Sequence, residues 1–322
     1  KHQGRLEEAL GRAQEARIRL HRADDQDQRA AIEVTLGRLA LDLGQPEAAE
    51  AHAEEAERLA AEAGARPFSA KALVLRGTIE QERGQRTRAR VCFEQALALH
   101  RAMGDRYQEA LTLSLSTGLY LETDRPVEAG ALAARAIELC SAHGYTALWG
   151  LLLGLRGAVE ASRGDVEAAL ASFGSAETAV AGADAALRAA VDLHRGALDL
   201  ALARRHAAGG DVEREARQRE AAHARLARID RSVVRASQEC RVAERVLRGA
   251  LSAVEPSATA RARELAVTED GRVFRTPEGR TVRLARHRAI PRVLKKLLDH
   301  RRGAPGDPLS FDALLECGWP GE

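Results

Sequence analysis

The chain has 322 residues, of which 45% are hydrophobic, 30% charged and 3% aromatic, and its formal net charge is +2. This length suffices for two domains or one long repeat array, and the absence of any run of about 18 apolar residues excludes a predicted membrane span. The four cysteines lie far apart without a CxxC motif, so the sequence predicts neither a zinc site nor a disulfide framework and favours a cytoplasmic location.

Small residues recur at intervals of forty residues from the first residues onward. Alanine occupies two positions of this forty-residue repeat in five successive units. The first set is Ala9, Ala49, Ala89, Ala129 and Ala169, and the second set is Ala16, Ala56, Ala96, Ala136 and Ala176. A turn position precedes the first set by five residues: Gly4, Gly44, Gly84, Asp124 and Gly164. This spacing places the small residues on one face of the helix that follows a tight turn. Each unit is therefore predicted to be a helix, a turn and a second helix, and stacked units are predicted to share one core.

A further glycine recurs inside the first helix of the units, at Gly37, Gly77 and Gly157. Glycine in a helix interior costs about 1 kcal/mol relative to alanine. Its recurrence predicts that two helices approach closely at this position.

These residues resemble the tetratricopeptide repeat, in which a small residue in helix A is followed by a turn glycine and then by Ala, an aromatic and Ala in helix B. The resemblance implies a mainly α fold, a right-handed α-solenoid of helix pairs with period 40, over residues 1–253. The predicted units are a partial one at 1–22, then 30–63, 70–103, 110–143 and 150–183, a degenerate one at 186–230, and a capping helix at 232–252. Residues 254–263 are predicted to be a linker.

In this repeat layout, side chains of helix A line a concave face. The candidate groove residues are Arg38, Asp42, Val74, Thr78, Gln81, Ser114, Leu121 and Glu122. Their mixture of polar and apolar groups is suited to a peptide or a helix of a protein partner.

The pattern changes near residue 264. Residues 261–322 carry 13 Lys and Arg against 9 Asp and Glu, so this end is mildly basic. Short alternating segments joined by "EDGR" and "PEGR" predict a small antiparallel sheet, and "RHRAIPRVLKKLLDHRR" predicts a helix. A second helix follows in "PLSFDALLECGWPGE".

This succession, from Leu265 to Pro320, resembles the winged-helix domain of OmpR/PhoB-type response regulators, and it implies a small α+β fragment at 264–322. In that family the next helix enters the DNA major groove, so the chain is expected to stop before its recognition helix. Phosphate contacts in a complete domain would come from Arg286, Arg288, Lys295, Lys296 and Ser310.

No motif for catalysis is present: the sequence lacks GxxxxGK[ST], a strand-linked GxGxxG, HExxH and GxSxG, and its ten histidines are scattered. The sequence therefore predicts no enzyme, no cofactor and no metal. The leading hypothesis is the protein-interaction or sensor arm of a bacterial-type transcriptional regulator, with DNA as a partner only through a complete C-terminal domain. The alternatives are a signalling scaffold that does not bind DNA and a regulator whose groove senses a short signal peptide.

Overall fold

The structure is a computed structural model. It describes residues 2–21, 25–254, 266–268, 270, 272–275, 281–284, 289–303 and 311–318. The chain divides into two compact units, residues 1–251 and 252–322.

Helices account for nearly all of the described part of the first unit. They are α1 (His2–His21), α2 (Gln26–Asp42), α3 (Pro46–Glu62), α4 (Arg66–Glu82), α5 (Arg86–Met103), α6 (Arg106–Glu122), α7 (Pro126–His143), α8 (Thr146–Ser162), α9 (Val166–Val180), α10 (Ala185–Ala208), α11 (Val212–Arg228), α12 (Arg231–Arg235) and α13 (Gln238–Val254). From α2 to α11, each even-numbered helix packs against the odd-numbered helix that follows it. The predicted mainly α architecture of stacked helix pairs is confirmed.

Four helix pairs keep the forty-residue period and are called regular below: α2–α3, α4–α5, α6–α7 and α8–α9. Their first helices begin four residues before the units that the alanine pattern delimited. Side-chain caps mark two of these four starts. Asp25 and Asp105 each accept a hydrogen bond from the backbone N–H three residues ahead, at 3.1 Å, which satisfies a donor that the helix leaves unpaired.

The turn within each regular pair requires a left-handed backbone. Gly44, Gly84 and Gly164 have φ of 75°, 76° and 83°, and Asp124 has φ of 53° at the same position of its unit. Glycine adopts this conformation without the steric cost of a Cβ, and Asp tolerates it better than most residues. The repeated glycine thus encodes a sharp reversal between the two helices.

In two units, the glycine inside the first helix accommodates the second helix of the same pair. A Cβ built on Gly77 would lie 2.6 Å from Phe93 Cε1, and one built on Gly157 would lie 2.8 Å from Phe173 Cε2. Both phenyl rings are fully buried. The predicted close approach is therefore found, and an aromatic ring fills the space that a side chain would take.

The largest cluster of buried apolar side chains joins helices that are distant in sequence. It includes Leu113 of α6, Leu152 of α8, Leu193 of α10 and Leu247 of α13. The region predicted as a single capping helix at 232–252 consists of two helices, and the longer, α13, lies against first helices of the array. Helix α13 packs there because its buried apolar side chains complete this cluster.

The described residues of the second unit form a sheet and two helices. Strands β1 (Ala266–Val267), β2 (Val273–Arg275) and β3 (Thr281–Arg283) pair antiparallel in that order, with Val267 opposite Phe274 and Phe274 opposite Val282. Helices α14 (Ala289–Gly303) and α15 (Phe311–Gly318) pack on each other. Cys317 Sγ of α15 donates a hydrogen bond to the backbone oxygen of Arg292 at 3.4 Å.

Candidate partner-binding groove

The first helices of the pairs face a common groove, and α13 lies in it. The side chain of Gln238 donates to Thr78 Oγ1 at 2.8 Å, which joins α13 to α4. Further along α13, Cys240 Sγ donates to the backbone oxygen of Ala186 at 3.0 Å, which joins it to α10. Because one helix reaches both α4 and α10, the face formed by the first helices curves around it.

Two arginines of α13, one helical turn apart, bind carboxylates of three successive pairs. Arg241 contacts Asp42 at 3.0 Å and Glu82 at 2.6 Å. Arg245 Nε donates to Glu122 at 3.0 Å. Charge-assisted hydrogen bonds of this kind are among the stronger polar contacts in proteins.

The three carboxylates form a ladder along the groove. Asp42, Glu82 and Glu122 are forty residues apart and are the last residues of α2, α4 and α6. They repeat because each occupies the same place at the end of a first helix. A single helix that crosses these ends can therefore meet all three with two arginines.

Burial disfavours the charged form of two carboxylates of the ladder, Asp42 and Glu122. Desolvation by burial raises the pKa of Asp42 to about 6, although the neighbouring Arg241 opposes the shift. Burial also raises the pKa of Glu122, against the effect of Arg245. Desolvation thus outweighs the attraction of the arginine at both positions, which is the balance expected of buried ion pairs.

Apolar contacts hold α13 close to the array. A Cβ built on Gly118 would overlap Val242 Cγ1, and one built on Gly196 would lie 2.5 Å from Leu247 Cδ1. Val242 and Leu247 are buried. The two glycines of α6 and α10 therefore allow α13 to approach their helices closely.

The eight predicted groove residues fall into two groups. Arg38, Asp42, Val74 and Thr78 line a cavity of about 600 Å³ beside the first residues of α13. The other four, Gln81, Ser114, Leu121 and Glu122, do not line this cavity.

Two of these four residues, Gln81 and Glu122, bind each other at the ladder of carboxylates. Gln81 is 1% exposed and donates to Glu122 at 2.8 Å, beside the contact of Arg245. Of the other two, Ser114 is buried and donates to the backbone oxygen of Leu111, and Leu121 is partly buried against the largest apolar cluster. Gln81, Ser114 and Glu122 therefore make their contacts within the chain.

Of the predicted phosphate contacts, Lys295 and Lys296 are exposed on α14. Arg286, Arg288 and Ser310 lie outside the described residues. Nothing in the described part of the second unit therefore brings these five side chains together.

Among the described residues, no group of three or more His, Cys, Asp or Glu side chains is placed to hold a metal ion. In the same part of the chain, no helix has both the length and the apolar character needed to cross a membrane.

Sequence reasoning missed the acid of the second pair and the two arginines that bind the ladder. Glu82 was detectable, because it falls forty residues from both Asp42 and Glu122. Arg241 and Arg245 carried no such signal, since α13 lies outside the repeat and its partners are more than a hundred residues away.

No protein-family model matches this chain, and no curated protein matches its sequence. Among solved structures, it is similar to the crystal structure of BtubC (BKLC) from P. vanneervenii, with a TM-score of 0.52 and 18% identity. The match covers 69% of this chain and 91% of that one. The likeness shows the fold, which is a solenoid of helical repeats.

Proposed function

We propose that residues 1–251 are a tetratricopeptide-like interaction arm that holds a short segment of a protein or peptide partner in the open part of its groove. The observation that carries this proposal is the cavity of about 600 Å³ among α2, α4, α6 and the start of α13. This volume lies within the range of about 300–1,000 Å³ that is typical of ligand sites.

The packing of α13 supports a groove suited to peptide chains. Helix α13 buries apolar side chains along one face and makes polar contacts along another, as helices do in helix-in-groove recognition. The cavity offers a continuation of the same mixture, with Leu39, Val74 and Leu115 beside Thr35 and Gln108. A short segment suits this space better than a long helix, because α13 already covers the groove beyond it.

A display selection tests the arm. Random peptides would be selected on the full chain and then measured against Val74→Trp, which places a large ring in the cavity. Val127→Trp is the matched control, because Val127 is 69% exposed on α7 and does not line the cavity. Peptides that bind the chain and the control but not Val74→Trp support the proposal. Peptides that bind all three equally, or the recovery of no binders, contradict it.

We further propose that the second unit belongs to a winged helix of the OmpR/PhoB type, which makes the arm part of a transcriptional regulator. The antiparallel sheet, the packed pair α14 and α15, and the exposed Lys295 and Lys296 support this proposal. DNA contact is proposed only for a chain that continues through a recognition helix and a terminal hairpin.

Fluorescence anisotropy with mixed DNA duplexes tests this second part. The chain would be compared with one that continues past Glu322 through those two elements, across a salt series. Binding that is gained on extension and weakens steeply with salt supports the regulator, because phosphate contacts release counterions. Absence of binding by both chains favours the alternative, a signalling scaffold whose groove docks a protein or a signal peptide.

A further inference from the structure

The apolar core of the first unit is divided where the array meets α13. Among the described residues, the cluster that α13 completes draws side chains from α5 onward and none from α2, α3 or α4. Those three helices bury apolar side chains in other clusters, none of which contains a residue of α13. Burial of apolar surface, the main stabilising term in packing, therefore fixes α13 to the later helices alone.

The first helices of the array separate at the same place. Helix α2 packs against α4, α6 against α8, and α8 against α10, whereas the contact between α4 and α6 is marginal. The cavity of about 600 Å³ lies at this separation, among α2, α4, α6 and the first residues of α13. The two sides stay joined through the packing of α5 on α6. Because repeats of a solenoid contact only their neighbours, the junction between α5 and α6 is where the array can bend.

Polar contacts close the array across this separation. The side chain of Gln238 donates to Thr78 Oγ1 at 2.8 Å, and Arg241 binds Asp42 at 3.0 Å and Glu82 at 2.6 Å. A minor contact of α1 with α12 lies on the same side. Hydrogen bonds exchange for bonds to water when their partners move apart, so their net loss is modest.

The charges at this contact do not balance. One guanidinium, that of Arg241, serves both Asp42 and Glu82. The remaining charged side chains that line the cavity come from α2, α4, the residue before α10, and α13, and they are Arg38, Lys71, Asp184 and Glu239. With every group ionised, four acids thus face three bases, and protonation of one acid restores the balance.

Asp42 is the acid most affected. Burial raises its pKa to about 6, although Arg241 and Arg38 oppose the shift, and Glu239 adds to it. Parting the helices returns Asp42 to water, where its pKa is 3.8. The closed array therefore binds a proton that the open array releases. The ratio of closed to open array falls as pH rises through 6, by about tenfold between pH 5 and pH 8.

Glu122 of α6 acts in the same direction. It accepts a hydrogen bond across the separation from Gln81 of α4 at 2.8 Å, and burial raises its pKa as well. Its share is smaller, because Arg245 of α13 stays beside Glu122 on the side of the array that does not move.

We propose that helices α1–α5 swing about the junction between α5 and α6, and that Asp42, Glu82 and Arg241 form a latch that acid closes against α13 and neutral pH loosens. Opening widens the cavity, and closing returns α2 and α4 to the first residues of α13. The inference goes beyond the proposed function, because it concerns the shape of the groove and holds whether or not a peptide docks there.

Double electron–electron resonance on the full chain measures this movement. Spin labels would be attached at Glu54→Cys on α3 and Gly249→Cys on α13. Both positions are exposed, and a Cβ at Gly249 has no atom within 4 Å. Cys317→Ser removes the partly exposed native thiol, and the other three native cysteines are buried. The matched control pair is Ala134→Cys with Gly249→Cys, because Ala134 is exposed on α7, on the side of the array that α13 is fixed to.

The expected result is a longer population of the 54–249 distance at pH 8 that is reduced at pH 5, with the ratio of short to long changing by about tenfold. The 134–249 distance should be the same at both pH values. Asp42→Asn keeps a neutral side chain at the latch, so it should hold the pH 5 distribution at pH 8. Circular dichroism at both pH values would verify that each variant retains its helices.

Three results overturn the inference. The first is a 54–249 distribution that does not change between pH 5 and pH 8. The second is a change that Asp42→Asn retains in full, because the latch would then not be the group that titrates. The third is an equal change in the control pair, which would report general loosening of the array rather than a swing about α5 and α6.

Discussion

Substituting Gly118 with alanine measures whether α13 occupies the groove. A methyl group added at Gly118 of α6 would meet Val242 of α13 rather than a residue of its own helix pair. The change is small and chemically simple, so its effect on stability reports the contact between the two helices.

Two opposing terms set the expected magnitude. Alanine is favoured over glycine inside a helix by about 1 kcal/mol. The Cβ would overlap Val242 Cγ1, and overpacking of this kind costs about 1–3 kcal/mol. Gly174 of α9 is the matched control, because a Cβ there has no atom within 4 Å. We therefore expect Gly174→Ala to stabilise the chain by about 1 kcal/mol, and Gly118→Ala to be less stable than Gly174→Ala by about 1–3 kcal/mol.

A double-mutant cycle attributes the cost to α13. Val242→Ala removes the clashing methyl group, and the remaining Cβ of residue 242 would lie 3.8 Å from the new Cβ at 118, which is an ordinary van der Waals separation. The two substitutions together should therefore be more stable than the sum of their separate effects, by about 1–3 kcal/mol. Urea unfolding followed by far-ultraviolet circular dichroism would give the free energies.

Two results would refute the reasoning. We expect Gly118→Ala and Gly174→Ala to differ through the clash with Val242, so equal stabilisation by both means that Val242 is not against α6. A coupling energy of zero in the cycle has the same meaning, because it shows that residues 118 and 242 act independently.

Three further predictions concern charge. Arg245→Ala should destabilise the chain by about 1–3 kcal/mol, because it leaves the nearly buried Glu122 without the arginine that binds it. Arg248→Ala should cost about 0.3–0.5 kcal/mol, because Arg248 is half-exposed and Glu244, its partner on the same helix, keeps a second arginine, Arg231. Urea unfolding that ranks the two variants equally contradicts this prediction. The pKa of Asp42 is raised from 3.8 to about 6, so the stabilisation that its protonated form gives the folded chain is present below pH 3.8 and is lost as pH rises through 6, by about 3 kcal/mol. Asp42→Asn should remove this pH dependence in urea unfolding at pH 4 and 7. An unchanged pH profile would count against the prediction. Burial lowers the pKa of His194 from 6.5 to about 4, so the stabilisation that its neutral imidazole gives the folded chain is present above pH 6.5 and is lost as pH falls through 4, by about 3 kcal/mol. The melting temperature of His194→Gln should therefore fall less in acid than that of the unaltered chain. An equal loss of stability in the variant and the unaltered chain would disprove this.

Much of the helical array was predictable because its determinants are local. The turn at Gly44 and Gly84 requires a left-handed backbone, and the alanines that follow must face a neighbouring helix. Both requirements recur every forty residues, so periodicity alone predicts stacked helix pairs. Even the role of Gly77 was partly predictable, since a costly glycine inside a helix indicates a close neighbour, although the ring of Phe93 was not foreseen as that neighbour.

The groove was predictable as a surface but not as a site. The repeat layout identified Asp42, Thr78 and Glu122 as residues of the concave face, and it did so without information about what faces them. Their partners on α13 follow Glu122 by more than a hundred residues along the chain, and no spacing rule connects a nonrepeating helix to the repeats it covers.

The amino-acid sequence by itself thus determined the helix pairs and their turns, because each depends on residues within one unit. Only the tertiary structure decided that α13 lies inside the array, that its arginines meet the ladder of carboxylates, and that a cavity remains beside its first residues. The physical reason is that these features arise from the curvature of the whole array, which brings α2 and α10 around one helix and which no single unit encodes.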